Sequence, residues 1–339
     1  LIGGFAVKVG LVPAHVWLPP AYTAAPGPMR ALLAGVAVNV GFYGLWRTLD
    51  VLGAPPVWLA GLVLLVAGLS ALLGISHAAV HADLRGMIAW SSVENAGVIT
   101  AGYGVGLVGA AVGLPELTAA GLLAGTMQLI AHAAAKSLLF VATGAVEDEC
   151  GTTDLDRLRG VARHLPVTGI GLTVGALTLA GMPLTAGFAS EWMTLESLMQ
   201  QFRVDDLALQ LSMAVAGILV ALTIGVSGVA FVRLIGLTVF GPDGDAPART
   251  GGPPDRAARR IGERSWAQCG ATLALALVCV GAAMFAPFVV AVIGRGLEHI
   301  VGDASGGALA GGWILQPVFP GFSALSPTLL WIVIPAYAL

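Results

Sequence analysis

Apolar residues run along this chain in long blocks, separated by short stretches rich in proline, glycine or arginine. A helix needs about 20 mostly apolar residues to cross the roughly 30 Å of bilayer hydrocarbon. The blocks therefore predict nine membrane segments, at 1–12, 30–46, 58–78, 87–112, 118–146, 165–200, 208–240, 266–300 and 312–339. The first and last end inside apolar sequence, so a fragment of a longer membrane protein is expected. As one straight helix the 165–200 block would extend roughly 54 Å, too far for a single crossing. It contains Gly181-Met182-Pro183, and a proline inside a helix removes a donor and clashes with the preceding turn. Pro13, Pro19 and Pro20 interrupt the opening segment in the same way. Broken helices are characteristic of ion-handling transporters; the alternative for either one is a packing kink.

Composition agrees with this pattern. Of 339 residues, 57% are hydrophobic and only 10% charged, against roughly a quarter charged in soluble domains. So few charges cannot cover a water-facing surface, which excludes a soluble enzyme, a nucleic-acid binder and a secreted disulfide scaffold. Cys150, Cys269 and Cys279 are scattered, with neither metal-site nor disulfide spacing. There is no dinucleotide-binding glycine motif and no phosphate-binding loop. The chain is read as an all-α polytopic membrane protein without a cofactor of its own.

Loop charge sets the orientation. If the segments alternate, one side collects Arg30, Arg85, Arg157, Arg159, Arg163 and the run Arg249, Arg256, Arg259, Arg260, Arg264. The other side holds little beyond Arg47, Arg203 and Arg295. The positive-inside rule makes the first side cytoplasmic. Residues 1–240 then form a transmembrane core, 241–265 a cytoplasmic loop, and 266–339 additional C-terminal helices.

Lysine occurs only twice, at Lys8 and Lys136, and both lie inside apolar segments. Placing a lysine at a helix centre costs about 2.5–3.5 kcal/mol on insertion scales, which argues for a role. Arginine stays charged at any accessible pH, whereas a buried lysine can release its proton. A proton carrier is one reading; a static lysine paired with a carboxylate is the other. His132 precedes Lys136 by four residues, so the two share a helix face. Together they could form a relay step, or His132 could serve as an interhelical hydrogen-bond partner. Ser137, Thr126 and Gln128 lie close enough to hold water. Glu191 follows the break at 181–183, and Glu94 is a further intramembrane carboxylate, read either as functional or as interfacial. His77 and His81 have i,i+4 spacing, but two histidines alone point to a turn rather than a metal site.

Several of these strings resemble one family. Lys-Val-Gly-Leu-Val-Pro-Ala-His-Val-Trp-Leu-Pro-Pro-Ala-Tyr-Thr-Ala-Ala-Pro at 8–26 resembles the signature of the antiporter-like subunits shared by complex I, Mrp antiporters and energy-converting hydrogenases. So do His-Ala-Ala-Ala-Lys-Ser-Leu-Leu-Phe at 132–140 and Gly-Met-Pro-Leu-Thr-Ala-Gly-Phe-Ala-Ser-Glu-Trp at 181–192. The Ser-Ser-Val-Glu-Asn string at 91–95 and Phe-Val-Arg-Leu-Ile-Gly-Leu-Thr-Val-Phe-Gly at 231–241 resemble the hydrogenase branch. Within it, they are similar to the large membrane subunit of formate hydrogenlyase and hydrogenase-4, the component B type.

The resemblance implies a helical bundle of inverted repeats, each with a broken helix, and a polar axis at mid-membrane. Lys8 would take the place of the first-half lysine, whose modulating glutamate belongs to an earlier helix. Lys136 with His132 would take the central relay position, and Glu191 the terminal one. Asn39 departs from the pattern, standing where many relatives carry lysine or histidine; it cannot titrate but can hold a water. The implied function is a multi-pass inner-membrane subunit translocating protons, with sodium as the alternative ion. It would work beside other membrane subunits and a peripheral redox arm carrying iron–sulfur clusters with NiFe or flavin. A subunit of a cation/proton antiporter and a non-pumping scaffold are the competing readings.

Overall fold

A computed structural model describes residues 1–241, 262–263, 265–310, 314–316, 318–319 and 321–338. Arg249, Arg256, Arg259, Arg260 and Arg264 lie outside the described residues.

The chain forms a helical bundle: α1 Ile2–Val9, α2 Leu18–Ala24, α3 Gly27–Leu52, α4 Val57–Val80, α5 Leu84–Val112, α6 Pro115–Cys150, α7 Pro166–Leu179, α8 Ala186–Leu198, α9 Leu207–Val239, α10 Trp266–Met284, α11 Ala286–Val301 and α12 Pro327–Ala338. Six of these helices (α3, α4, α5, α6, α9 and α10) are long and apolar enough to cross a membrane, and α1 with α2 forms a seventh span bent by 40°. Single-turn elements and a two-residue hairpin (β1 Leu309–Ala310, β2 Ile314–Leu315) complete the described elements.

Helix boundaries follow local chemistry. Asp83 caps α5 by accepting from Gly86 N at 3.0 Å, and Asp206 caps α9 through Leu209 N at 2.9 Å, each satisfying an orphan donor of the first turn. Prolines open α6 and α7, where their missing N–H costs nothing. Two sequence boundaries change. The 266–300 block divides at Phe285, because Pro287 restarts the chain as a separate helix. Residues 314–315 form a strand rather than opening a helix, and α12 begins at Pro327.

α5 is the central helix, buried along most of its length and packed between α4 and α6. Close approach is permitted by small residues. Gly97 faces the backbone of Ala71 on α4, and Gly102 faces Gly125 on α6, the arrangement membrane helices use in place of a hydrophobic driving force.

Both breaks lie where the prolines predict. In the first, Val12 N donates to Ser70 Oγ of α4 at 3.0 Å. In the second, residues 180–185 leave the helix, and Ser227 Oγ of α9 donates to the freed Leu179 carbonyl at 2.9 Å. A serine from a neighbouring helix thus satisfies a backbone group at each break, as irregular backbone inside a membrane requires. Arg30, Arg85 and Glu147 meet at one end of the bundle, fixing the end shared by the starts of α3 and α5 and the close of α6. Following the connections from there, α1–α2 runs towards that end and α7–α8 away from it. The two broken elements are antiparallel.

Candidate functional site

Glu94 on α5, Lys136 on α6 and Glu191 on α8 converge in the interior, at 2%, 0% and 5% exposure. Lys136 Nζ donates to the Ile88 carbonyl at 2.6 Å and to Ser91 Oγ at 2.5 Å, both on α5. No carboxylate lies within ion-pair distance of Lys136 among the described residues. Glu94 is near enough to interact electrostatically with Lys136 and with Glu191, and lies beside Ser227 of α9. In a low-dielectric interior such interactions are far stronger than in water. The cluster therefore holds one base and two acids whose charges influence one another without being locked together.

Glu191 is placed by the helix break. Gly181 has φ +59°, and a Cβ there would overlap the Glu191 carboxylate, so only glycine lets the break fold back over this acid. Leu184 also sits at φ 73°, a conformation costing a non-glycine residue roughly 1–2 kcal/mol. Such strain persists only where surrounding packing enforces it.

Uncharged side chains lead from Glu94 to the helix that bears Glu191. Asn95 Nδ2 donates to Glu94 Oε2 at 3.2 Å and to the Ser91 carbonyl at 3.0 Å. Gln128 Nε2 donates to Asn95 Oδ1 at 3.0 Å, and Ser190 Oγ to Gln128 Oε1 at 2.5 Å. Buried hydrogen bonds thus lead from Glu94 through Asn95 and Gln128 to Ser190, the residue before Glu191, while Lys136 meets the Ser91 hydroxyl and Asn95 the Ser91 carbonyl. The sequence reading singled out Gln128 only as a water-holding candidate and passed over Asn95, Ser91 and Ser190. The available signal was adjacency: Asn95 follows Glu94, Ser190 precedes Glu191, and Gln128 stands two turns before Lys136.

The other candidates stand further out. His132 is buried one turn from Lys136, and its Nδ1 has no partner among the described residues. Asn39 donates from Nδ2 to the Gly35 carbonyl of its own helix at 2.7 Å, leaving Oδ1 buried and unpartnered. Unpaired buried polar atoms of this kind mark places where water fits. Lys8 is exposed, with its stem against Gly41 of α3, and the structure does not bring it into the Lys136 cluster. His77 stacks on Trp90 at 4.4 Å and His81 packs over Gly86. Among the described residues no group of three or more His, Cys, Asp or Glu is placed to hold a metal ion.

At the end shared by the starts of α3 and α5, Glu147 of α6 bridges Arg30 and Arg85, the latter at 3.0 Å. Asp83 accepts from Thr153 Oγ1 at 2.5 Å and from Arg85 Nε at 3.4 Å. Backbone bonds Leu84 N to the Thr153 carbonyl (2.7 Å) and Leu155 N to the Ala82 carbonyl (2.8 Å) fold the 151–158 loop over the start of α5.

Comparison with known proteins gives the family. The chain is 38% identical over 241 residues to hydrogenase-4 component B of Escherichia coli, covering 70% of this chain and 36% of that protein. It is 32% identical over 240 residues to formate hydrogenlyase subunit 3 of the same organism, covering 70% and 39%. The chain thus spans less than half the length of these relatives. Among solved structures, it superposes on a chain of the membrane-bound sulfane sulfur reductase, an archaeal respiratory membrane complex. That match has a TM-score of 0.72 and 25% identity, and covers 99% of this chain and 51% of the other. Residues 1–216 match the family model described as NADH:quinone oxidoreductase/Mrp antiporter, transmembrane, and the chain belongs to that family.

Proposed function

We propose that this chain is the translocating part of a proton-pumping membrane subunit of a hydrogenase-like or complex I-like oxidoreductase. Its likeness to hydrogenase-4 component B and formate hydrogenlyase subunit 3 favours the hydrogenase branch. In this reading residues 1–240 are the core, 241–265 a cytoplasmic loop and 266–339 additional helices. The protein sits in the inner membrane beside other membrane subunits and a peripheral redox arm, and that arm carries the iron–sulfur clusters and the NiFe or flavin centre.

The observation that carries this reading is the setting of Lys136. It is fully buried, yet its amine is held by a carbonyl and a hydroxyl rather than by a carboxylate. A lysine fixed for structure alone would be paired with an acid, because an unpaired buried charge is costly. Neutral partners leave its charge free to respond to Glu94. Lys136 and Glu94 form one proton station and Glu191 the next, and His132 and Asn39 on the approach each offer a buried, unpartnered polar atom that a water could meet. Lys8 belongs to the first-half station, on the face where the chain is open. A change of charge arriving from one side alters the proton affinity of Lys136, then of Glu94, then of Glu191.

The test is Lys136→Ala in the full-length protein within its complex. Assembly and electron transfer are expected to persist while proton uptake into inside-out vesicles is lost; unchanged uptake would remove Lys136 from the pathway. The family also includes Mrp antiporter subunits, which supports a second reading. Sodium-gradient-driven proton flux without any electron donor would select the antiporter.

A further inference from the structure

A cavity of about 540 Å³ lies at the end of the bundle where Arg30 and Glu147 meet, between the start of α3, the close of α6 and the start of α10. Pro26, Gly27, Gly144 and Gln268 line it together with those two charged side chains. Lys136 stands on α6 eight residues before Gly144, about 12 Å deeper along the helix axis at about 1.5 Å per residue. What lies between this polar cavity and the buried amine decides whether water, and a proton with it, can reach Lys136 from this end.

Phe140 occupies that interval. It is four residues from Gly144 and four from Lys136, and so on the same side of α6 as both. From α2, the ring of Tyr22, four residues before Pro26, meets the Phe140 ring with centroids 5.2 Å apart and planes tilted by 47°. Phe140 and Tyr22 are buried to 0% and 1% exposure. The two rings form an apolar layer one turn inside the cavity and one turn short of Lys136. Such a constriction excludes water while its walls touch and passes it when they part.

One polar atom belongs to this layer. The Tyr22 hydroxyl is buried without a hydrogen-bond partner among the described residues, and Ser92 of α5 is its neighbour. Ser92 Oγ lies 3.5 Å from the Ile88 carbonyl, the same acceptor that holds Lys136 Nζ at 2.6 Å. The hydroxyl therefore sits on the Lys136 side of the rings. Buried hydroxyls normally have a partner, and a water entering between the rings would supply one. Ring packing favours the closed layer, while the unpartnered hydroxyl favours an open one.

We propose that Phe140 and Tyr22 are positioning residues that gate water between this cavity and Lys136, Phe140 closing the way and the Tyr22 hydroxyl drawing water in. The proposal rests on the reading of Lys136 as a proton station. Along the admitted water a proton moves to the neutral Lys136 amine, which becomes an ammonium, and Tyr22 ends with the hydrogen it began with.

The gate is tested by the reactivity of a thiol placed behind it. Ser92→Cys is introduced into the full-length protein within its complete complex, and open membrane fragments are treated with a small charged methanethiosulfonate. Modification is read from the mass of the peptide carrying position 92, and buried Cys279 on α10 reports any general loosening. Phe140→Ala is expected to raise modification at rest about tenfold, as about 1.4 kcal/mol on the closed–open equilibrium would. Phe140→Leu, which still fills the layer, should stay near the parent. Supplying the electron donor is expected to raise modification in the parent. Tyr22→Phe keeps the ring but loses the hydroxyl; it should abolish that rise and lower proton uptake per electron in vesicles. Parent-like modification in Phe140→Ala overturns the proposal, as does a matching rise at Cys279 or a parent-like response to the donor in Tyr22→Phe. Lys136→Ala separates the gate from the station. If the thiol responds as expected while Lys136→Ala still takes up protons, the gate stands and the station reading falls. If Lys136→Ala stops uptake while Phe140→Ala leaves the thiol protected, the station stands and the gate is wrong.

Discussion

Arg30 and Lys136 are both cations buried to 2% or less, and α6 contributes to both sites, yet the two are surrounded in opposite ways. Around Arg30 the contacts of Nε and Nη2 favour permanence, while Nη1 is buried without a partner among the described residues. Its guanidinium stays charged, Nη2 meets Glu147, Nε meets the Ala25 carbonyl at 2.7 Å, and Glu147 is held a second time by Arg85. Around Lys136 the cation can lose its proton, its contacts are neutral, and its acids stand back. The first is a clamp joining the ends of α3, α5 and α6; the second is built for a charge that comes and goes. Burial does not distinguish them, because both are buried. Partner chemistry does.

The largest effect should come from exchanging the two cations. Lys136→Arg keeps a positive charge but removes the ability to release it. Proton uptake is expected to fall as far as in Lys136→Ala, by tenfold or more in vesicle assays (~1.4 kcal/mol per tenfold). Arg30→Lys is expected to keep pumping, at some cost in thermal stability from the lost fork geometry. Uptake by Lys136→Arg near the parent level would show that only a fixed charge is needed, and the contrast between the two sites would vanish.

Next is Glu147→Gln. It leaves the buried Arg30 without its counter-charge, and removing one member of a buried pair costs about 3–5 kcal/mol. Glu147 itself is 34% exposed, so the lower end, about 3 kcal/mol, applies. Thermal unfolding of the solubilised complex should show the loss, while proton uptake per surviving complex stays unchanged. A pumping defect without destabilisation would move Glu147 from the clamp to the pathway.

How much of this contrast was legible beforehand depends on the kind of residue. Glu94, Lys136 and Glu191 stand out in sequence because a charge in an apolar block is expensive, and the two helix breaks stand out because proline cannot continue a helix. Ser91, Asn95 and Ser190 do not stand out, since small polar residues are common in helices and only packing shows which of them face one another. Lys8 has the same one-dimensional signature as Lys136. The structure packs its stem against Gly41 of α3 and does not bring it into the Lys136 cluster, a difference that local spacing does not encode. The division of 266–300 at Phe285 was hidden for a related reason: Ala286-Pro287 lies between apolar residues, with no polar stretch to mark the joint.

A smaller effect tests the clamp through pH. Burial alone pushes the Asp83 carboxyl up, but hydrogen bonds from Thr153 and the Gly86 N–H, with Arg85 alongside, outweigh it and hold the carboxyl below the ordinary carboxylate range. A lowered folded-state pKa gives stability that is present above the unfolded value and lost as pH falls through the folded one. Hydrogen-exchange protection at Leu84 and Leu155, whose amides tie the 151–158 loop to α5, should therefore weaken in acid below the usual carboxylate range. Asp83→Asn should flatten that acid dependence while still capping α5. Identical pH profiles for parent and variant would assign the acid sensitivity to another group.

The smallest effect is expected at the opposite end. Arg47 and Asp50 form an i,i+3 pair near the end of α3, with Arg47 46% exposed, and His299 of α11 approaches Asp50 at 3.7 Å. Exposed pairs of this kind contribute about 0.2–1 kcal/mol and are screened by salt. Arg47→Ala is therefore expected to shift thermal stability by less than about 1 kcal/mol, with the shift shrinking further at high ionic strength. Arg47 and Arg30 sit at opposite ends of one helix and each pairs with an acid, so only burial and the number of partners separate them. If Arg47→Ala destabilised the complex as much as Glu147→Gln, burial would not be what makes the Arg30 clamp strong, and the shared network of carboxylates and arginines would have to be weighed at both ends alike.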